Sequence, residues 1–195
     1  MRAIEGGEVD AGAQASASLD RALAGVSPEP ARGQAPMSPM NAMPPRNQVR
    51  PDALLPPIVS TLRIMAAELH GAVLMAQGNR AEADETFKNA AKAEADLGYR
   101  EPPIYIRPVY ESYAAALLAT GDATAARQAF ERGLEQRPRS GFGLYGLALC
   151  SEKSGETARA TKEFIAFLEA WKHADRSLAQ IGHAREYVAA HRIVG

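Results

Sequence analysis

Cysteine is almost missing from this chain: Cys150 stands alone among 195 residues. One thiol can close no internal disulfide and build no multi-cysteine zinc site. An excess of charge is missing too. The sum is −1, with six acidic and five basic side chains in residues 1–57 and seventeen of each in 58–195. A nucleic-acid binder needs a basic stripe for phosphate contacts, and none is visible. No uninterrupted apolar run reaches the ~18 residues that suggest a membrane span. The opening "MRAIEGGEVDAGAQASASLD" has no basic stretch followed by an apolar core, so no secretory signal is read and the expected compartment is the cytoplasm. The histidines, His70, His173, His183 and His191, form no i,i+3 or i,i+4 pair, and no HExxH occurs. A Gly-rich phosphate loop ending in Lys-Ser or Lys-Thr is also missing. The expectation is a chain that is not an enzyme, with no metal, no cofactor and no catalytic residue.

Nine of the thirteen prolines fall within residues 1–57. That region has no hydrophobic period and few large apolar residues, so it cannot bury enough surface to offset ordering entropy. It is predicted to be a disordered or extended tail, with a short helix around "SASLDRALAG" only marginal alone. Met37, Met40 and Met43 recur every three residues within it. Thioethers so spaced can hold Cu(I). With no nearby His or Cys, a Met- and Pro-rich linker is the better reading, and metal handling stays a minor alternative.

From about Leu62 the pattern is helical, and it repeats. Gly78, Gly121 and Gly155 each break two helical runs. Five residues after each comes Ala83, Ala126 or Ala160; nine after, Phe87, Phe130 or Phe164; seven before, Gly71, Ala114 or Ala148. Sterically this is a helical hairpin. The small residue lets the second helix approach, the alanine sits at the facing crossing, and the phenylalanine fills the space toward the next hairpin. The glycine supplies the positive φ that ends the first helix. Asn79 and Asp122 are predicted N-caps, with Glu82 completing a capping box after Asn79. Three such hairpins must stack to cover their apolar faces.

The register is similar to that of tetratricopeptide repeats, A-x₃-F included, and Gly121 to Gly155 spans their period of 34. The stretches "EADLGYREPPIYIRPVYESYAAALLATGD", "RPRSGFGLYGLA" and "FLEAWKHAD" further resemble the C-terminal third of large bacterial tetratricopeptide-repeat proteins, over about residues 60–176. The resemblance implies fold and organisation and brings no catalytic activity. The fold expected is all-α: a right-handed solenoid over residues 58–195, with hairpins at about 62–97, 107–138 and 141–173. A capping helix is expected at about 177–192, carrying Leu178, Ile181, Ala184 and Val188 on its apolar stripe with His183 turned away.

Between the first two hairpins "GYREPPIYI" adds nine residues to the period. Pro102 and Pro103 forbid helix, and Pro108 suits a first turn. This stiff loop presents Arg100, Tyr105, Arg107 and Tyr110. "GFGLYG" spells G-x-G-x-x-G, but it follows a helix and a turn rather than a strand, so it reads as a helix start with small packing residues. Cys150 reads as a small core residue, since no base accompanies it.

In a solenoid of this kind the first helix of each hairpin lines the inner face. The exposed inner positions are expected to be Met65, Glu68, Ala72 and Met75; then Glu111, Ala115 and Leu118; then Phe142, Tyr145, Leu149, Glu152 and Lys153. Apolar anchors mixed with carboxylates suit a peptide or partner helix bearing one or two basic side chains. The expected function is a non-enzymatic protein–protein interaction module. The alternative is a spacer or oligomerisation segment of a larger repeat protein.

Overall fold

A computed structural model describes residues 6–24, 55–98, 105 and 107–191. Eight helices and no strand occur among the described residues. After α1 (Gly6–Ala24), they form three consecutive pairs: α2 (Leu55–Ala76) with α3 (Arg80–Asp96), α4 (Val109–Ala119) with α5 (Ala123–Gln136), and α6 (Gly141–Lys153) with α7 (Thr157–Ala170). The last helix is α8 (Ala179–His191).

The break between the partners is built the same way three times. Gly78, Gly121 and Gly155 have φ of 83°, 94° and 73°. The next N–H donates back to the carbonyl four residues before each glycine: Asn79 to Leu74 at 2.9 Å, Asp122 to Leu117 at 3.0 Å, Glu156 to Ser151 at 2.9 Å. Each glycine N–H also bonds the third carbonyl back, which closes a left-handed helix stop of the Schellman type. Caps differ between pairs. Asp122 accepts from the Ala125 N–H and Ser140 from the Gly143 N–H, whereas Asn79 makes no side-chain cap. The capping box expected at Asn79 and Glu82 is therefore corrected.

The recurring residues occupy the places their sizes suit. Ala83, Ala126 and Ala160 are fully buried, as are Ala114 and Ala148, while Phe87, Phe130 and Phe164 expose no more than 4 %. A Cβ on Gly71 would lie 2.8 Å from the Phe87 ring. In "GFGLYG" every glycine receives a side chain from another element: Trp171 at Gly141, Leu134 at Gly143 and the Phe130 ring at Gly146. The motif is a packing device. Pro108 is the N-cap of α4, and the Val109 N–H that begins α4 donates to Glu94 Oε2 of α3 at 2.8 Å.

Two polar networks tie the pairs together. Arg80 bonds Asp84 at 2.7 Å and Asp122 at 3.0 Å, and the Tyr113 hydroxyl donates to Asp84 at 2.6 Å. Burial beside that carboxylate pushes Tyr113 up to about 12. Deeper in, Arg127 donates to Glu163 at 2.9 Å, to the Leu147 carbonyl and to Ser151. Burial alone would raise the Glu163 carboxyl; Arg127 and Ser151 outweigh it and hold the group below its usual range.

Two expectations from the sequence change at the N-terminal side. Within the segment read as a disordered or extended tail, residues 6–24 form α1, which packs on α2. Gly12 lies against Val73, and Ser16 and Leu23 are buried. Small residues with no helical apolar period allow this close approach. Second, Ile58–Ala76 is long and apolar enough to cross a membrane by length and composition, with mean hydropathy 1.4. Arg63 and Glu68 interrupt the run, which hid it from a count of consecutive apolar residues. In this fold α2 is a packing hub, burying Val59, Ile64, Ala66, Val73, Leu74 and Met75.

Candidate functional site

The N-termini of α4 and α6 lie side by side. Glu111, in the first turn of α4, accepts a short hydrogen bond from Ser140, the N-cap of α6. From there the two helices border a cavity of about 670 Å³, closed on one side by α8. Of the inner positions expected, Glu111, Ala115, Leu118, Phe142, Tyr145, Leu149, Glu152 and Lys153 all line it, as does Arg107 of the loop. Phe142 is half exposed, its ring meeting the edge of Trp171 at 5.6 Å. Leu118 forms buried floor at 1 % exposure.

The first pair does not join. Met65 is exposed on α2, outside this cavity. Met75 is corrected from groove to core: it packs with Leu74, Leu117, Leu118 and Phe130 because α4 covers that side of α2. Glu68 is corrected likewise, being 8 % exposed with Oε1 lacking a hydrogen-bond partner. Burial raises its carboxyl, with Ser112 and Arg107 pulling the other way. Nearby Glu94 is also raised by burial, partly offset by the Val109 N–H and Arg137. Ala72 is half-buried against the Phe87 cluster.

The loop residues scatter. The Tyr105 carbonyl accepts from Arg137 at 2.6 Å, and Tyr110 lies beneath Arg132, 5.8 Å from its ring centre. Arg100 lies outside the described residues, as do Met37, Met40 and Met43. Among the described residues no three His, Cys, Asp or Glu side chains cluster as a metal site would require. Cys150 is buried, and burial pushes its thiol up to about 11, so it keeps its proton and is a poor nucleophile at neutral pH.

Sequence reasoning missed the third wall. His183 of α8 places Nδ1 2.9 Å from the Tyr145 hydroxyl and Nε2 3.3 Å from Glu152 Oε1. It also packs edge-on against Phe164 at 5.3 Å, so the expectation that it turns away from the fold is corrected. A neutral imidazole satisfies both contacts, with Tyr145 donating to Nδ1 and Nε2–H facing the carboxylate. Carboxylate, imidazole and hydroxyl in series have the connectivity of an acid–base relay. Burial and the Glu152 charge raise the Tyr145 hydroxyl, however, which suits a fixed hydrogen bond better than proton transfer. The signal available in sequence was the i,i+3 spacing of Gln180 and His183, both of which line the cavity.

No family model matches this chain, no curated protein matches it, and no solved structure matches it.

Proposed function

We propose that residues 55–191 form a tetratricopeptide-like right-handed solenoid of three hairpins closed by α8, and that it acts as a non-enzymatic interaction module. The α4–α6 cavity receives a peptide or partner helix. The threefold Gly–Ala–Phe register supports the repeat reading: in every pair the glycine has a positive φ and the alanine and phenylalanine are buried. The binding reading rests on one observation. Residues from α4, α6 and α8 converge on a cavity whose floor is apolar and whose rim holds convergent polar groups, the ordinary make-up of a recognition site.

Site-specific photo-crosslinking tests it. A benzophenone side chain replaces Phe142 in one variant and Ile165, half exposed on α7, in another. Groove binding predicts a discrete adduct from position 142, competed by untagged protein, and none from 165. Equal adducts from both positions, or none from 142, would remove the proposal.

The spacer or oligomerisation reading is favoured by Ile58 and Met65, each 50 % exposed on α2 away from the cavity. It predicts self-association in sedimentation velocity that Met65→Glu abolishes.

A further inference from the structure

Burial decides which charges of the cavity an incoming chain would meet. Four formal charges line it, two of each sign: Arg107 and Lys153, Glu111 and Glu152. The two carboxylates are engaged by the protein, Glu111 buried and Glu152 with its side chain 29 % exposed. Glu111 is 4 % exposed and accepts from Ser140. Glu152 faces His183 through Oε1, and its Oε2 is closed off from solvent. Arg107 and Lys153 are both exposed. The two most exposed charges of the rim are therefore both cations, although the composition of the lining is neutral.

The two cations also sit at opposite ends. Arg107 precedes α4 by two residues, at the end where Glu111 meets Ser140, and Lys153 is the last residue of α6. The thirteen residues of α6 separate them by roughly 20 Å at ~1.5 Å per residue. An extended peptide covers that distance in about six residues at ~3.3 Å each. Between the ends lies the apolar floor with Leu118 and Leu149, and Phe142, half exposed in the first turn of α6, stands at the Arg107 end.

Resting on the groove reading above, we infer that the occupant is an acidic–apolar peptide segment: carboxylates about six residues apart, with an aromatic or aliphatic anchor beside the one that meets Arg107. The carboxylates meet Arg107 and Lys153, and the anchor meets Phe142. This reverses the basic partner that the sequence alone suggested, because Glu68 and Glu111 are not available to it.

The test is selection from a random synthetic decamer library on the full chain, with Phe142→Ala as counter-screen. Phe142-dependent sequences enriched in Asp and Glu beside a large apolar residue support the inference. Phe142-dependent sequences that are neutral or basic overturn it and leave the groove reading standing. No Phe142-dependent enrichment overturns both. A direct measurement follows with two synthetic decamers that differ only by Glu or Lys at the two charged positions. The acidic one should bind more tightly, lose affinity with added salt, and weaken about three- to ten-fold for each of Arg107→Glu and Lys153→Glu. Equal binding of the two decamers, or no change in the reversed variants, would overturn the charge assignment. Both substituted residues are exposed, so neither change threatens the fold.

Discussion

The two ends of this helical array are closed by helices of opposite design. At the C-terminal end α8 drives Ile181 and Ala184 into a cluster with Phe164 and Phe167, flanked by Trp171, Tyr187 and Val188. Tyr187 leans on Phe164 at 4.9 Å, and His183 pins the helix to α6. At the N-terminal end α1 comes close through small residues and buries little. Gly12 touches Val73, the Ser16 hydroxyl sits 3.4 Å from His70, and Leu23 is the one large buried anchor among the described side chains of α1. A cavity of about 400 Å³ remains beneath it, between Asp20, Leu23, Ala66 and His70. Both helices cover an open face. One does so with apolar area, which is where stabilisation comes from; the other does so with proximity.

The largest effect should come from removing the better seal. Truncation after Asp175 uncovers Phe164, Phe167 and Trp171. Ile181 and its neighbours represent about 3–6 kcal/mol of burial at ~1.5–3 per large side chain. The melting temperature should drop by roughly 10–20 °C, and light scattering should show aggregation. A truncated chain as stable and monomeric as the full one would mean that α8 is no cap.

The contrast continues one layer in. The link between the second and third pairs, Arg127–Glu163, leaves the side chains 14 % and 20 % exposed; the link between the first and second, Arg80–Asp122, leaves them 40 % and 38 % exposed. Glu163→Gln takes the close anionic partner from a shielded guanidinium, leaving it the Leu147 carbonyl, Ser151 and the more distant Glu131, and should cost about 2–3 kcal/mol. Breaking the exposed pair by Asp122→Asn should cost less than about 1 kcal/mol through the ion pair itself. The Glu163 effect has a pH signature. Its folded carboxyl is held below the ordinary 4.5, so its stabilisation is present above that value and disappears as pH falls through the folded one. Urea titrations of wild type and Glu163→Gln should differ at pH 7 and converge in acid. Parallel curves would assign the cost to packing instead of charge.

Deleting residues 1–24 should be milder. One buried leucine contributes about 1.5–3 kcal/mol, and whatever ordering cost of the nineteen residues the helix's own hydrogen bonds do not offset is subtracted from it. A loss below about 2 kcal/mol, with the melting temperature moving by under roughly 5 °C, is expected. A collapse comparable to the α8 truncation would erase the distinction between the two ends.

What could be read in advance follows from how local each constraint is. The Gly–Ala–Phe register was legible because a positive φ, a tight crossing and a filled gap each demand one residue type at a fixed spacing. Gly146 and Phe130 show the limit: their roles were plain separately, but their mutual contact links two helices. Glu111 was expected to be an exposed groove charge. Its partner Ser140 lies 29 residues away, and no spacing along the chain announces that hydrogen bond. Met75 was placed on the inner face by counting along α2, yet α4 lies over it. Helix α1 was legible only as a short marginal helix around "SASLDRALAG"; its full length and its docking on α2 were not, because alanine, glycine and serine pack closely without an apolar period.

The smallest effect concerns Glu68, and its sign is opposite to that of Glu163. Glu68 sits on α2 with an unpartnered Oε1, and burial raises its carboxyl above the ordinary 4.5. The folded state thus holds that proton more tightly than the unfolded state does. At neutral pH the ionised group opposes folding, and the penalty fades as pH falls through the folded value, vanishing below the unfolded one. Glu68→Gln keeps the shape and removes the charge. An amide still leaves a polar atom short of partners, so the gain is limited to about 1 kcal/mol, roughly 2–4 °C. The variant should therefore melt higher at pH 7 and match wild type near pH 4, whereas Glu163→Gln melts lower at pH 7 and approaches wild type only in acid. If Glu68→Gln lowers the melting temperature at neutral pH, the carboxylate is held by a favourable charged contact, with Arg107 the cation among the groups that influence it. The cationic end of the cavity would then be partly neutralised from within, and Arg107 would contribute less than Lys153 to holding an acidic peptide.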